Sequence, residues 1–211
     1  MDEKLHKLLR NNPNVWRAGD ARDSGAAYGL EAIPTGFSQL DAVLPGGGWP
    51  ANAVVEIITE QWGIGELQLL APVMSRLNQA QGWLVWVAPP YIPYPPALQN
   101  MGIDTRRVII LHPEHKNNDV IWSMEKTLRS AQCAMTLAWP QRVSHTAIRR
   151  LQLAAQSGQS FGVLFRNTAA KTSPATLRLQ LTATHNGLKV HLLKIRGACR
   201  TDSVSINLAS L

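Results

Sequence analysis

The residues best placed to do chemistry lie in one turn, Thr59-Glu60-Gln61-Trp62-Gly63-Ile64-Gly65-Glu66-Leu67. It follows an apolar, β-branched run at Val54 to Ile58 and precedes a stretch with helical spacing of apolar residues from Glu66 onward. A glycine-bearing turn from strand to helix can cradle a phosphate, because its N–H groups and the helix dipole both face an anion. A working loop of this kind reads G-x-x-x-x-G-K-[ST], with the Lys on the β/γ-phosphates and the hydroxyl on Mg²⁺. Here Gly65 keeps the last glycine, but Glu66 holds the Lys position and Leu67 the hydroxyl position. A carboxylate repels phosphate where an ammonium should attract it. The residues Trp62, Gly63, Gly65, Glu66 and Leu67 therefore outline a degenerate phosphate loop with no cofactor, and Trp62 is expected to fill the vacated space.

Two further positions point the same way. In the RecA/RadA recombinases, which the order TGFSQLD, LPGGGWP and Val-Glu-Ile resembles, a carboxylate that activates water and an Asp linked to Mg²⁺ follow two of the strands. The apolar run Trp83 to Ala88 ends in Pro89-Pro90, and the run Cys133 to Trp139 ends in Ala138-Trp139-Pro140. No carboxylate stands at either place, so no catalytic residue and no enzymatic activity is expected. His112-Pro113-Glu114-His115 has neither the spacing nor the helix of a zinc site, because Pro113 breaks the helix that would align the imidazoles. Ser144-His145 are adjacent on an expected helix and point apart. Cys133 and Cys199 lie far apart without metal-binding spacing. No metal is expected.

Contact residues are a different matter. Tyr91 and Tyr94 sit in the Pro-rich stretch YIPYPPAL after a strand, where α/β sheets place ligands; they either pack inward or meet a partner. Near the C-terminus, Lys171, Arg178, Lys189, Lys194, Arg196 and Arg200 give a basic edge. It reads either as a solvated face that guards against edge pairing or as a contact for phosphate or an acidic partner.

The elements that must position these residues follow from periodicity. Strands are expected at Val54 to Ile58, Trp83 to Ala88, Arg107 to Leu111, Cys133 to Trp139 and Phe161 to Arg166. Helices are expected between them, over Glu66 to Asn78, Asn118 to Ser130 and Ser144 to Ser157. This alternation implies an α/β core with a mostly parallel sheet and helices on both faces. Leu177 to Thr184 and Leu188 to Ile195 alternate apolar and polar residues around His185-Asn186-Gly187, an antiparallel hairpin at the C-terminal side. A short helix is expected over Gly36 to Leu44, and Pro45 to Pro50 reads as a turn cluster. The chain divides into an N-terminal helix and linker at 1–30, a core at 31–200 and a tail at 201–211, the last an added strand or a free binding segment.

With 211 residues, 45% of them hydrophobic, the chain can bury one sizeable core. Its net charge of +7 makes nucleic acid or an acidic protein plausible partners. The first residues, MDEKLHKLLRNN, lack the layout of a signal peptide, and no run approaches a membrane span. A cytoplasmic location, extending to association with the nucleoid, and no membrane partner are expected.

The order of TGFSQLD, LPGGGWP and Val-Glu-Ile ahead of the turn resembles the start of the RecA/RadA recombinase ATPase core. The fuller pattern, with WGIGEL, VAPPYIPYPPAL and GID, resembles the ImuA family of RecA-like accessory proteins. That resemblance implies a RecA-like three-layer sandwich and a non-enzymatic role in SOS-regulated translesion synthesis. It implies an ImuB-type polymerase-like protein and a DnaE-type polymerase as partners, with RecA itself as a further one and DNA contact alongside. The stretch from Gly65 to about Thr184 also resembles the SulA cell-division inhibitors, through GELQLLAPVMSRL, WLVWVAPP and GID. This alternative implies binding to the tubulin homologue FtsZ and a block on its polymerisation.

Overall fold

The computed structural model describes residues 31–113, 117–195 and 202–208. The expected N-terminal helix, Arg196 and Arg200 lie outside them. Two sheets are present among the described residues. A small antiparallel pair joins β1 (Ala32–Ile33) to β2 (Trp49–Pro50). This corrects the reading of Pro45 to Pro50 as turn alone. Two-residue strands carry no alternation to detect.

The main sheet contains β3 (Val54–Ile58), β4 (Trp83–Val87), β5 (Val108–Leu111), β6 (Cys133–Ala138), β7 (Phe161–Arg166), β8 (Leu177–Thr184), β9 (Gly187–Ile195) and β10 (Ser203–Asn207). Its order is β10-β9-β8-β3-β7-β6-β4-β5. The block from β8 to β5 is parallel, whereas β9 and β10 add to it antiparallel. The expected tail thus joins the sheet as its outermost strand. The central parallel strands β3, β4, β6 and β7 are nearly continuous apolar runs because both of their faces are covered.

One face is covered by α1 (Ser38–Asp41) and α2 (Glu66–Gln79). The helix α2 carries Glu66 in its first turn and Arg76 in its last, each complementing the macrodipole end beside it. Its buried stripe of Leu69, Leu70, Val73 and Met74 packs with Val55, Ile57 and Trp86 of the sheet. Leu69 is fully buried and joins the face expected from Leu70, Val73 and Met74. The helix runs through Pro72 without interruption.

The opposite face carries α4 (Asn117–Leu128) and α5 (His145–Gly158), with α3 (Pro95–Asn100) in the connection between β4 and β5. Ser144 caps α5, its hydroxyl accepting from the Ala147 N–H at 3.1 Å. Ile148, Leu151 and Ala155 of α5 and Val120, Met124 and Leu128 of α4 meet Val54, Val85 and Leu164 of the sheet. Because β3, β7, β6 and β4 are parallel, their carboxyl ends share one rim. That rim carries the candidate site.

Candidate functional site

The turn after β3 is closed by its own residues. Glu66 is buried, and its carboxylate accepts from the Gly63 N–H at 2.9 Å (Oε1) and 3.1 Å (Oε2) and from the Gly65 N–H at 3.2 Å (Oε2). A side-chain anion thus sits against donors that a phosphate loop would offer to its ligand. Thr59 ties the other half of the turn, its hydroxyl donating to the Gln61 carbonyl at 2.7 Å. Gly65 has φ +112, and a Cβ there would stand 2.3 Å from Leu208 Cδ1, so the residue after β10 lies directly against the turn. Leu67 is half-buried against the core.

Below the turn, aromatic rings fill the rim. Trp62 is half-buried and meets Phe165 of β7 edge-on, with centroids 6.1 Å apart. Phe165 stacks on Trp139 at 4.6 Å, and Trp139 contacts Trp86 of β4 at 5.9 Å. The row Trp62-Phe165-Trp139-Trp86 crosses three neighbouring strands and packs the rim with rings. Trp139 followed the strand β6 in the sequence, but its stacking on Phe165 joins residues far apart in the chain and has no local signal.

The turn after β4 has the opposite character. Pro89 is buried and anchors it, while Tyr91, Ile92 and Tyr94 are 71%, 82% and 70% exposed. Five prolines between Pro89 and Pro96 fix φ along this segment, so the three side chains are presented with little freedom to lose on binding. Ile92 was not singled out from the sequence, although its place between two exposed tyrosines would have flagged it.

The basic candidates separate into distinct environments. Arg178 is a correction: it does not belong to a polar face but is buried, its Nε 2.8 Å from Glu56 Oε2 and its Nη2 donating to the Ala170 carbonyl at 2.9 Å. Arg166 donates to the other Glu56 oxygen at 2.9 Å. Glu56 is fully buried in β3, so it needs charged partners, and it finds them on both neighbouring strands. A lone Glu inside Val54 to Ile58 was the available signal. Lys194 is half-buried, its ammonium donating to the Ser173 carbonyl at 2.5 Å and to the Ala175 carbonyl at 3.0 Å. Lys171 and Lys189 are exposed. His145 Nε2 lies 2.8 Å from the Thr172 carbonyl, while Ser144 turns to its cap, so the two make no nucleophile and base pair.

Among the described residues Glu125, Asp104, Arg106 and Cys133 have shifted pKa values, that of Arg106 raised by its bond to Asp104. The Arg150 guanidinium beside Glu125 holds that carboxyl below the usual range, and Arg129 adds to this with a contact of 2.9 Å. Arg106 does the same to Asp104. Burial pushes the Cys133 thiol up, which suits an inert core residue. Among the described residues no group of three or more His, Cys, Asp or Glu could hold a metal ion, and no helix is long and apolar enough to cross a membrane.

Comparison with known proteins gives a consistent match. The family model "Cell division inhibitor SulA" matches residues 53–162, just over half the chain. The cell division inhibitor SulA of Edwardsiella piscicida is 28% identical over 107 residues, 51% of this chain and 63% of that protein. The chain thus spans less than two thirds of that relative's length. The SulA of Serratia proteamaculans (strain 568) is 25% identical over 140 residues, 66% of this chain and 83% of that protein. A crystal structure of SulA from Pseudomonas aeruginosa is similar at 26% identity and a TM-score of 0.45, covering 54% of this chain and 98% of that chain. These matches overturn the leading expectation of an ImuA-type translesion accessory protein. They favour the alternative drawn from GELQLLAPVMSRL and WLVWVAPP, and they lend nothing to ImuB-type, DnaE-type or RecA partners. The recombinase-like order before Val54 had carried the wrong weight, since the matched region begins at residue 53.

Proposed function

The chain belongs to the SulA family of cell division inhibitors, and we propose that it inhibits division without catalysis, by binding FtsZ and preventing its polymerisation during the SOS response. The observation that carries this is the rigid apolar tip Tyr91-Ile92-Tyr94, which lies inside the matched region and is exposed on all three side chains. Aromatic and branched apolar anchors on a preorganised segment are what a protein interface uses for most of its binding energy.

The sheet is read as a nucleotide-binding core of RecA type that has lost its ligand. What supports this is the carboxylate of Glu66 on the N–H groups of Gly63 and Gly65 and the ring row beneath it. A triphosphate would have to displace an internal anion and part the aromatic packing. Action through contact alone follows, in the cytoplasm, with the core at 31–200 as the working unit.

Sedimentation of FtsZ polymers in GTP, with and without an equimolar amount of the purified chain, tests the reading. The expected result is a smaller pellet in proportion to the chain added, together with no ATP or GTP turnover by the chain alone. An undiminished pellet, or saturable ATP turnover, refutes it.

A further inference from the structure

The charges of this chain are segregated. The 76 residues from Lys126 to Thr201 contain twelve of the 21 Lys and Arg and none of the 14 Asp and Glu. They build α5, β7, β8 and β9, and an acid, Asp202 ahead of β10, lies beside them with Gln180, Thr182 and His191. Four of these cations are neutralised from outside the segment. Arg129 and Arg150 pair with Glu125, and Arg166 and Arg178 pair with Glu56. Arg142, Arg149, Lys171 and Lys189 remain exposed.

The fold places Arg149, Lys171 and Lys189 toward one face, while Arg142 follows β6 and lies beside Asn117 at the start of α4. In β8 and β9, Leu179, Leu181, Leu188, Val190 and Leu192 are buried toward α2, whereas Gln180, Thr182, Lys189 and His191 point the other way. Register places Thr182 opposite Lys189 and Gln180 opposite His191, and β10 continues the rows with Ser205 and Ser203. This is the face on which α5 packs over β3 and β7, and among the described residues no helix lies over β8 to β10 on that face. Beside α5 therefore runs an open floor of hydroxyl, amide and ammonium donors. Lys171 sits at the junction, next to Thr172, whose carbonyl lies by His145 of α5.

We propose that this face binds the phosphate backbone of duplex nucleic acid without reading its sequence. Charge complementarity argues for a polyanion, and the short hydroxyl and amide donors between the cations suit phosphate oxygens. A single strand is disfavoured, because both aromatic rings between His145 and Ile195, Phe161 and Phe165, are buried and no stacking platform exists there. An acidic protein is disfavoured because the exposed apolar residues of the face, Leu153 and Leu193, are isolated and no aromatic anchor accompanies them. The surface is separate from the Tyr91-Ile92-Tyr94 tip, so the two can fail independently.

The test is fluorescence anisotropy of the full chain with a labelled 30-base-pair duplex of arbitrary sequence, from 50 to 200 mM NaCl. The three exposed cations of the face predict a log–log salt slope near −2.7 and about a fortyfold loss of affinity over that range. The variants R149E and K189E, both at exposed positions, should each weaken binding and flatten the slope by about one, with circular dichroism unchanged. A Y91A/I92A/Y94A variant should bind as the parent does. The proposal is overturned by absence of duplex binding at 50 mM NaCl, by insensitivity to R149E and K189E, or by equal affinity for polyglutamate. Tighter binding to a single strand of the same length overturns it as well.

Discussion

Two turns leave the same rim of the same parallel sheet and have reached opposite ends. The turn after β3 keeps its donors and glycines but satisfies them internally, with Glu66 on the N–H groups of Gly63 and Gly65, Trp62 against Phe165 and Leu208 over Gly65. The turn after β4 satisfies almost nothing internally beyond the buried Pro89, and it holds Tyr91, Ile92 and Tyr94 out in solvent. A buried polar group is costly unless paired, whereas an exposed apolar group is costly only until a partner covers it. The difference supports the proposed division of labour, in which the first turn is scaffold and the second is contact surface.

The comparison is broken most forcefully from the scaffold side. Phe165→Ala removes the ring that joins Trp62 to Trp139, and urea unfolding should record a loss of about 3–5 kcal/mol. A loss below about 1 kcal/mol would mean that the ring row is not the packing of the rim. Glu66→Ala should cost about 1–3 kcal/mol, since it strands the Gly63 and Gly65 N–H groups. Unchanged stability would show that water serves the turn as well as the carboxylate does. At the tip, Tyr91→Ala and Tyr94→Ala should each alter stability by no more than about 0.5 kcal/mol. A large destabilisation there would make the tip part of the fold.

Glu125 supplies the smallest effect and a control remote from both turns. Its carboxyl is held low by Arg150 in the folded state, so its contribution is present above the unfolded carboxylate pKa and is lost as pH falls through the folded one. Unfolding midpoints from pH 7 down to 3 should therefore fall less steeply for Glu125→Gln than for the parent. Identical slopes would remove the pair from the account.

Much of this was legible in the chain. Val54–Ile58 and Phe161–Arg166 were read to the residue because long apolar, β-branched runs between helical patterns have few other outcomes. The closure of the first turn was half legible. Glu66 in the lysine position announces that phosphate is unwelcome, but nothing in the local sequence says that the carboxylate bends back to the Gly63 N–H. Arg178 was misplaced because its partner, Glu56, stands on the adjacent strand and more than a hundred residues earlier; alternation along β8 gave it a polar face without saying that this face is covered there. The identity of the family was misweighted for a related reason. The resemblance to recombinases rested on features before Val54, while the matched stretch 53–162 contains the exposed tip.

Calorimetric titration of FtsZ with the Y91A/I92A/Y94A variant, compared with the parent chain, tests the division of labour most directly. The account predicts that the parent binds saturably, while the variant, equal to it in unfolding midpoint and in duplex binding, shows at least a hundredfold weaker affinity, the loss of two strong anchors at about 1.4 kcal/mol each. A variant that still binds FtsZ as the parent does would contradict it.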